Sequence, residues 1–309
     1  MSRKFRHKLI QKAIKHYRYE EVLDQKTNLK DFERRYKNFT DKDTLKNYTN
    51  TIYKVLSGAP QAIHIAAKNL LFQENPECWK YFERTALFWT YAHIKDEWID
   101  HLKDALEYAL FVERDDLLKI LLDKSKAYLS LDAYQNNKDH IKQKVYPSTH
   151  LVHFLIEKWL GENPVKTTVL KYGDGYGIYQ RLIDDWEDYS QIESSYWDQL
   201  CEYHLNAIGL QAGEKYEHEE FLGCGLIPME LLNLFKTRKK LGLDVPEITH
   251  ELFQTPMAKQ PQIPTGYNQE LDVRFQMIDR TVKTKKKHTY QQIVEILKDE
   301  HGENANLFY

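Results

Sequence analysis

With 309 residues, 42% apolar and 29% charged, the chain can form one large domain or two ordinary ones and is not a disordered polypeptide. Only 12 Gly and 9 Pro argue against a turn-dense β-sandwich or barrel and against a doubly wound α/β enzyme with its many tight loops, so an all-α fold is expected. A formal net charge of −2 sets up no overall field toward nucleic acid or membrane.

The charge is nonetheless distributed in blocks. Met1 to Lys54 carries 15 Lys and Arg against 7 Asp and Glu. Phe5, Tyr17 and Tyr19 interleave there with Arg3, Lys4, Arg6, Lys8, Lys12, Lys15 and Arg18, as in a nucleic-acid arm. Leu9, Ala13, Ile14 and Tyr17 also make a helical stripe, however, which leaves the charges as a solvated face. This segment has no apolar run of the kind a signal peptide needs, and the uncharged run Thr85 to Ile94 is half a membrane span, so a cytoplasmic location is expected.

Helical periodicity continues through Ala59 to Phe72 and Cys78 to Ile94, split by Glu74-Asn75-Pro76. Trp98, Leu102, Ala105, Leu106 and Ala109 form the next stripe, and Leu118, Leu121, Leu122 and Leu129 follow the charged break Glu113 to Asp116. Such short breaks imply stacked antiparallel helical hairpins. The polar stretch Lys138 to Ser148 reads as a boundary, and Thr167 to Leu170 as at most a minor β element. Pro228 and Gly242 bracket a further helix with Lys236, Arg238, Lys239 and Lys240 in its last turns. Pro256, Pro261, Pro264 and Gly266 mark a linker, and Tyr290 to Asp299 predicts a peripheral helix. The expected organisation is a basic helical region (1–58), an N-terminal helical domain (59–147), a C-terminal helical domain (148–257) and a linker with a basic helical tail (258–309).

No catalytic constellation emerges. Gly173 to Gly177 is spaced GxGxG without the GxGxxG fingerprint or a P-loop Lys-Ser/Thr, and Asp174 would repel phosphate, so a loop between helices is expected. His93, Glu97 and His101 share one helical stripe, and Glu247 to His250 supplies one ExxH, whereas a di-iron bundle needs two such motifs and further carboxylates. His204 falls on the apolar face of Trp197, Leu200, Cys201 and Ile208, as a hydrogen-bonded core histidine. His218-Glu219-Glu220 lacks the second histidine of a zinc helix. Cys78, Cys201 and Cys224 are odd in number with no CxxC spacing, which fits a reducing compartment. Neither metal nor cofactor is expected.

The acidic block is the most informative feature: Asp174 to Glu220 carries 12 Asp and Glu against 2 Lys and Arg. Ile178, Tyr179, Leu182, Ile183 and Trp186 predict the buried stripe of one helix, with Asp184 and Asp188 opposite and Asp185 and Glu187 on the shoulders. Together with Asp174, Tyr189, Glu193 and Tyr196, these side chains are the candidate contacts to a basic partner.

Around and beyond this block run Trp186-Glu187-Asp188-Tyr189, Tyr196-Trp197, Gly223-Cys224-Gly225-Leu226-Ile227-Pro228 and Leu241-Gly242-Leu243, then Pro246, Ile248, His250 and Leu252. This order, covering roughly a quarter of the chain, resembles the PoNi-type immunity proteins of bacterial polymorphic toxin systems. The resemblance implies an all-helical, non-enzymatic inhibitor that binds a secreted nuclease toxin. A nuclease must hold polyphosphate, so its cleft is expected to be basic, and an acidic ridge can occlude it. The alternatives are a nucleic-acid-associated helical protein acting through its basic N-terminus and Lys-rich tail, with weak, salt-sensitive binding, or an unrecognised helical metalloenzyme. Pairing of the chain as a homodimer is left open.

Overall fold

The computed structural model describes residues 6–15, 63–95, 102–130, 146–161, 175–208, 220–221, 224–259, 271–273, 276–277, 280, 284, 286 and 288–308. The expected β element at Thr167 to Leu170, together with Asp174, Glu97, His101 and His218, lies outside them. The architecture is all-α. Helices α1 (residues 6–15) and α2 (63–72) are followed by α3 (Cys78–Lys95), α4 (Leu102–Phe111), α5 (Asp115–Ser130) and α6 (Pro147–Leu160). A 3-10 turn (Gly177–Tyr179) leads into α7 (Gln180–Asp184), then α8 (Ser194–Asn206) and α9 (Met229–Lys240). After two more 3-10 turns come strand β1 (Leu271–Asp272), helix α10 (Tyr290–His301) and strand β2 (Leu307–Phe308). The strands pair in parallel with Leu271 opposite Leu307, the one sheet among the described residues.

Local chemistry sets the helix ends. The Asn75 carboxamide accepts from the Glu77 amide at 3.0 Å, so the chain turns before Pro76 and restarts as α3. In the α4–α5 link, Arg114 donates to both Asp116 oxygens at 2.8 and 2.7 Å and to Glu83 of α3 at 2.9 Å, tying the hairpin to its neighbour. Helix α6 begins at Pro147 and ends where Gly161, at φ 67°, donates back to the Glu157 carbonyl. A capping box of Thr289 and Gln292 opens α10.

Helices α3, α4 and α5 pack on one another, while α9 lies across α4 and α6. Nine of the ten α4 residues are buried, making it the axis of the molecule. A continuous buried cluster runs from Leu9 to Met257 and crosses residue 147 without interruption. The tail has a small core of its own, made by Val273, Met277, Ile293, Val294 and Leu297. Helix α1 buries Leu9, Ile10 and Ala13, and Arg6 donates to Glu202 at 2.6 Å while His7 pairs with Glu251. The N-terminal helix is therefore docked on the far end of the chain. Among the described residues, no helix is long and apolar enough to cross a membrane.

Candidate functional site

The acidic segment is built differently from the single helix that its periodicity predicts. Helix α7 stops at Asp184, and the chain then turns, with the Asp188 amide donating to the Asp185 carbonyl at 3.0 Å. The Tyr189 hydroxyl donates to the Leu182 carbonyl at 2.9 Å, and Arg238 donates to the Trp186 carbonyl. Asp188 is consequently placed by a turn rather than by helical phase, with its carboxylate accepting from the Ser190 amide at 2.8 Å. That bond holds the Asp188 carboxyl below its ordinary range.

Asp184, Glu187, Asp188 and Glu193 are nevertheless all exposed, as is Asp198 on α8. Asp185 is half-buried and shares Arg181 at 3.4 Å. Tyr189 is buried, so its role is to brace the turn rather than to meet a partner, contrary to the sequence expectation. Tyr196 is half-buried, donates to the Ile178 carbonyl and lies under the Arg181 guanidinium.

Beneath the turn stands Arg238, a cation with 0% exposure. Its Nε donates to the Asp244 carbonyl at 2.7 Å, and its guanidinium covers the Tyr189 ring at 3.5 Å and the Trp186 ring at 5.3 Å. Carbonyl dipoles, two π faces and the negative end of α9 stand in for the lost hydration. Phe154 and Lys158 of α6 pack on the other side of Trp186. The carboxylates thus ride on a rigid aromatic and cationic base.

Further inside lies a polar centre of which sequence reading placed only His204, as a hydrogen-bonded core histidine. His204 on α8 uses both ring nitrogens: Nδ1 shares a proton with Glu230 at 3.0 Å, and Nε2 donates to the Gly225 carbonyl at 2.7 Å. Glu220 accepts from the Ser148 amide at 2.8 Å, so capping the start of α6, and from the Tyr203 hydroxyl at 2.6 Å. Lys103 donates to the Glu220 carbonyl at 2.8 Å and sits 3.4 Å from Glu107. The Glu107 oxygens and the Tyr179 hydroxyl make no hydrogen bond among the described residues.

Burial pushes the Glu107 carboxyl up to about 8, with Lys103 offsetting only part. Burial also works against the Lys103 ammonium, but Glu107 and Asp104 outweigh it and hold it above its ordinary range. The folded protein then binds a proton at Glu107 that the unfolded chain releases above its ordinary 4.5. The contribution of this proton to stability should accordingly fall as pH rises from about 5 to about 8. Urea titrations at several pH values should show the stability difference between the parent and Glu107→Gln shrinking over that range.

Histidines elsewhere in the core have structural partners. His250 accepts the Leu252 amide at 3.1 Å and caps a 3-10 turn, while Glu247 of the same ExxH is exposed. His153 donates to the Thr149 carbonyl at 2.7 Å and meets Ser125 at 2.8 Å, and burial lowers its pKa to about 4. No group of three or more His, Cys, Asp or Glu among the described residues suits a metal ion. Cys78, Cys201 and Cys224 are buried free thiols, pushed up by burial and so kept from the thiolate form. Gly177 sits at φ 46°, where a Cβ would come within 2.8 Å of Pro147, so the glycine loop packs against a helix start.

No protein-family model matches the chain, and no curated protein or solved structure matches it.

Proposed function

We propose that the chain is a cytoplasmic immunity protein that neutralises a secreted bacterial toxin, a nuclease with a basic cleft, by laying the acidic turn over it. The observation that carries this reading is the rigid seating of exposed Asp184, Glu187, Asp188 and Glu193 over buried Trp186, Tyr189 and Arg238. Like charges grouped on one short segment repel one another, and a fixed basic partner relieves that repulsion. Preorganisation adds to the effect, because the carboxylates lose little freedom on binding. The chain performs no chemistry in this mechanism. Docking of α1 through Arg6 and His7 leaves less of the N-terminal charge for nucleic acid than a free arm would offer.

The test is the paired variant Asp184→Lys with Asp188→Lys. Both positions are exposed, so the variant should stay folded, with a melting temperature lowered only slightly by loss of the Asp188 bond to the Ser190 amide. Affinity for the toxin that co-purifies from the native host should fall about 10- to 100-fold, mainly through slower association at low salt, and protection of cells expressing the toxin should fail. A variant that melts normally and binds as tightly as the parent would reduce the acidic turn to a solvated face. Sequence-specific nucleic-acid binding at physiological salt would move the function to the nucleic-acid class.

A further inference from the structure

A groove with a volume of about 1110 Å³ opens between the end of α6, the outer face of α9 and the segment that follows α9. Its floor is apolar, with Trp159, Phe235, Ile248 and Phe253. Lys239 and Lys240 stand at its edge, both exposed and without an ion pair among the described residues. The other two lysines of the lining are satisfied, Lys236 by Glu113 at 3.1 Å and Lys259 by Glu74 at 2.9 Å. Val245, 37% exposed, lines the groove and is one of two exposed large hydrophobic side chains among the described residues, so part of the apolar surface left open to water lies here.

We propose that this groove docks an extended peptide of a partner protein in which carboxylate side chains sit beside bulky apolar ones. The two unpaired ammonium groups supply the charge complementarity, and the apolar floor with its aliphatic rim supplies the contact area. A nucleic acid fits less well. Trp159 is buried and its ring is covered by the Lys240 ammonium at 3.8 Å, so it offers no open face for a base to stack on. Glu113 and Asp115 also line the groove and would repel a continuous phosphate backbone, whereas a peptide can place a carboxylate only where a lysine waits. The inference does not depend on the acidic turn, although α9 serves both: Arg238 points beneath the turn, and Lys239 and Lys240 face the groove.

The experiment selects phage-displayed random dodecapeptides on the immobilised full chain, then measures the synthesised winners by fluorescence anisotropy. The winners should carry Asp or Glu next to Leu, Ile, Phe or Trp. They should bind K239E/K240E and V245D at least about 10-fold more weakly than the parent, with both variants still folded by circular dichroism. D184K/D188K should bind them as the parent does, which keeps failure here separate from failure of the toxin reading. Winners without this acidic-apolar signature, or winners indifferent to both groove variants, overturn the proposal. So does an oligonucleotide of twelve thymidines that binds the parent and is lost with K239E/K240E, which would give the groove to nucleic acid.

Discussion

Glu230→Ala should destabilise the protein by about 3 kcal/mol, the upper end of the cost of leaving a buried hydrogen-bonding group without its partner. His204 is wholly enclosed and its Nε2 is committed to the Gly225 carbonyl, so without Glu230 its Nδ1 faces no acceptor that could replace the carboxylate. Glu230→Gln keeps a polar group in place and should cost less. Replacing both members at once, as His204→Phe with Glu230→Leu, should recover much of the loss, because the stacked contact of His204 with Phe221 is retained in kind. Denaturant unfolding of the three variants tests the pair. A Glu230→Ala midpoint equal to that of the parent would show that the pair adds nothing.

Trp186→Ala should cost a similar amount, about 3–5 kcal/mol, through the cavity left among Phe154, Tyr189 and Arg238. Arg238→Ala should fall in the same range, since it empties a buried volume and leaves the Trp186 and Asp244 carbonyls unpaired. The two residues touch, so the double variant should cost less than the sum of the singles. Both singles should also weaken toxin binding while the exposed carboxylates stay unchanged in sequence. Calorimetry of the three variants beside their toxin affinities is the measurement. Full toxin affinity in a destabilised Arg238→Ala would mean that the turn does not need its cationic support.

Much of the fold was legible because its helices obey simple chemistry. The breaks at Glu74 to Pro76 and Glu113 to Asp116, the start at Pro228 and the stop at Gly242 are local signals, and each marks an observed boundary. The exposed acidic side chains were legible for the same reason. The end of α7 was not, because the turn beyond it is held by a hydroxyl seven residues onward and a guanidinium from α9, contacts that hydrophobic periodicity does not register. Nor was the polar centre beyond His204. Glu230, Asn233 and Thr237 share one face of α9, and only its packing on α4, where Asn233 donates to the Glu107 carbonyl at 2.9 Å, buries that face. The one available hint was that α9 is apolar at Leu231, Leu232, Leu234 and Phe235 as well, so its polar stripe had no side left for water. Arg238 reads as an ordinary dipole-pairing residue in sequence, and its burial comes from Trp186 and Tyr189 far upstream.

The long separations within the polar centre bear on how the chain is made. Lys103 and Glu107 emerge from the ribosome well before Glu220 and Asn233, the residues that meet them. At ordinary synthesis rates of 5–20 residues per second, the interval is on the order of ten seconds. During it, the most enclosed helix of the finished protein carries an ammonium and a carboxyl that only later segments can shelter. A nascent chain of this kind cannot complete its core in instalments, because the partners of α4 arrive only with Glu220 and α9. The polar centre would then close only when α9 has been made, so the folded protein lags its messenger by nearly the time of translating through residue 240.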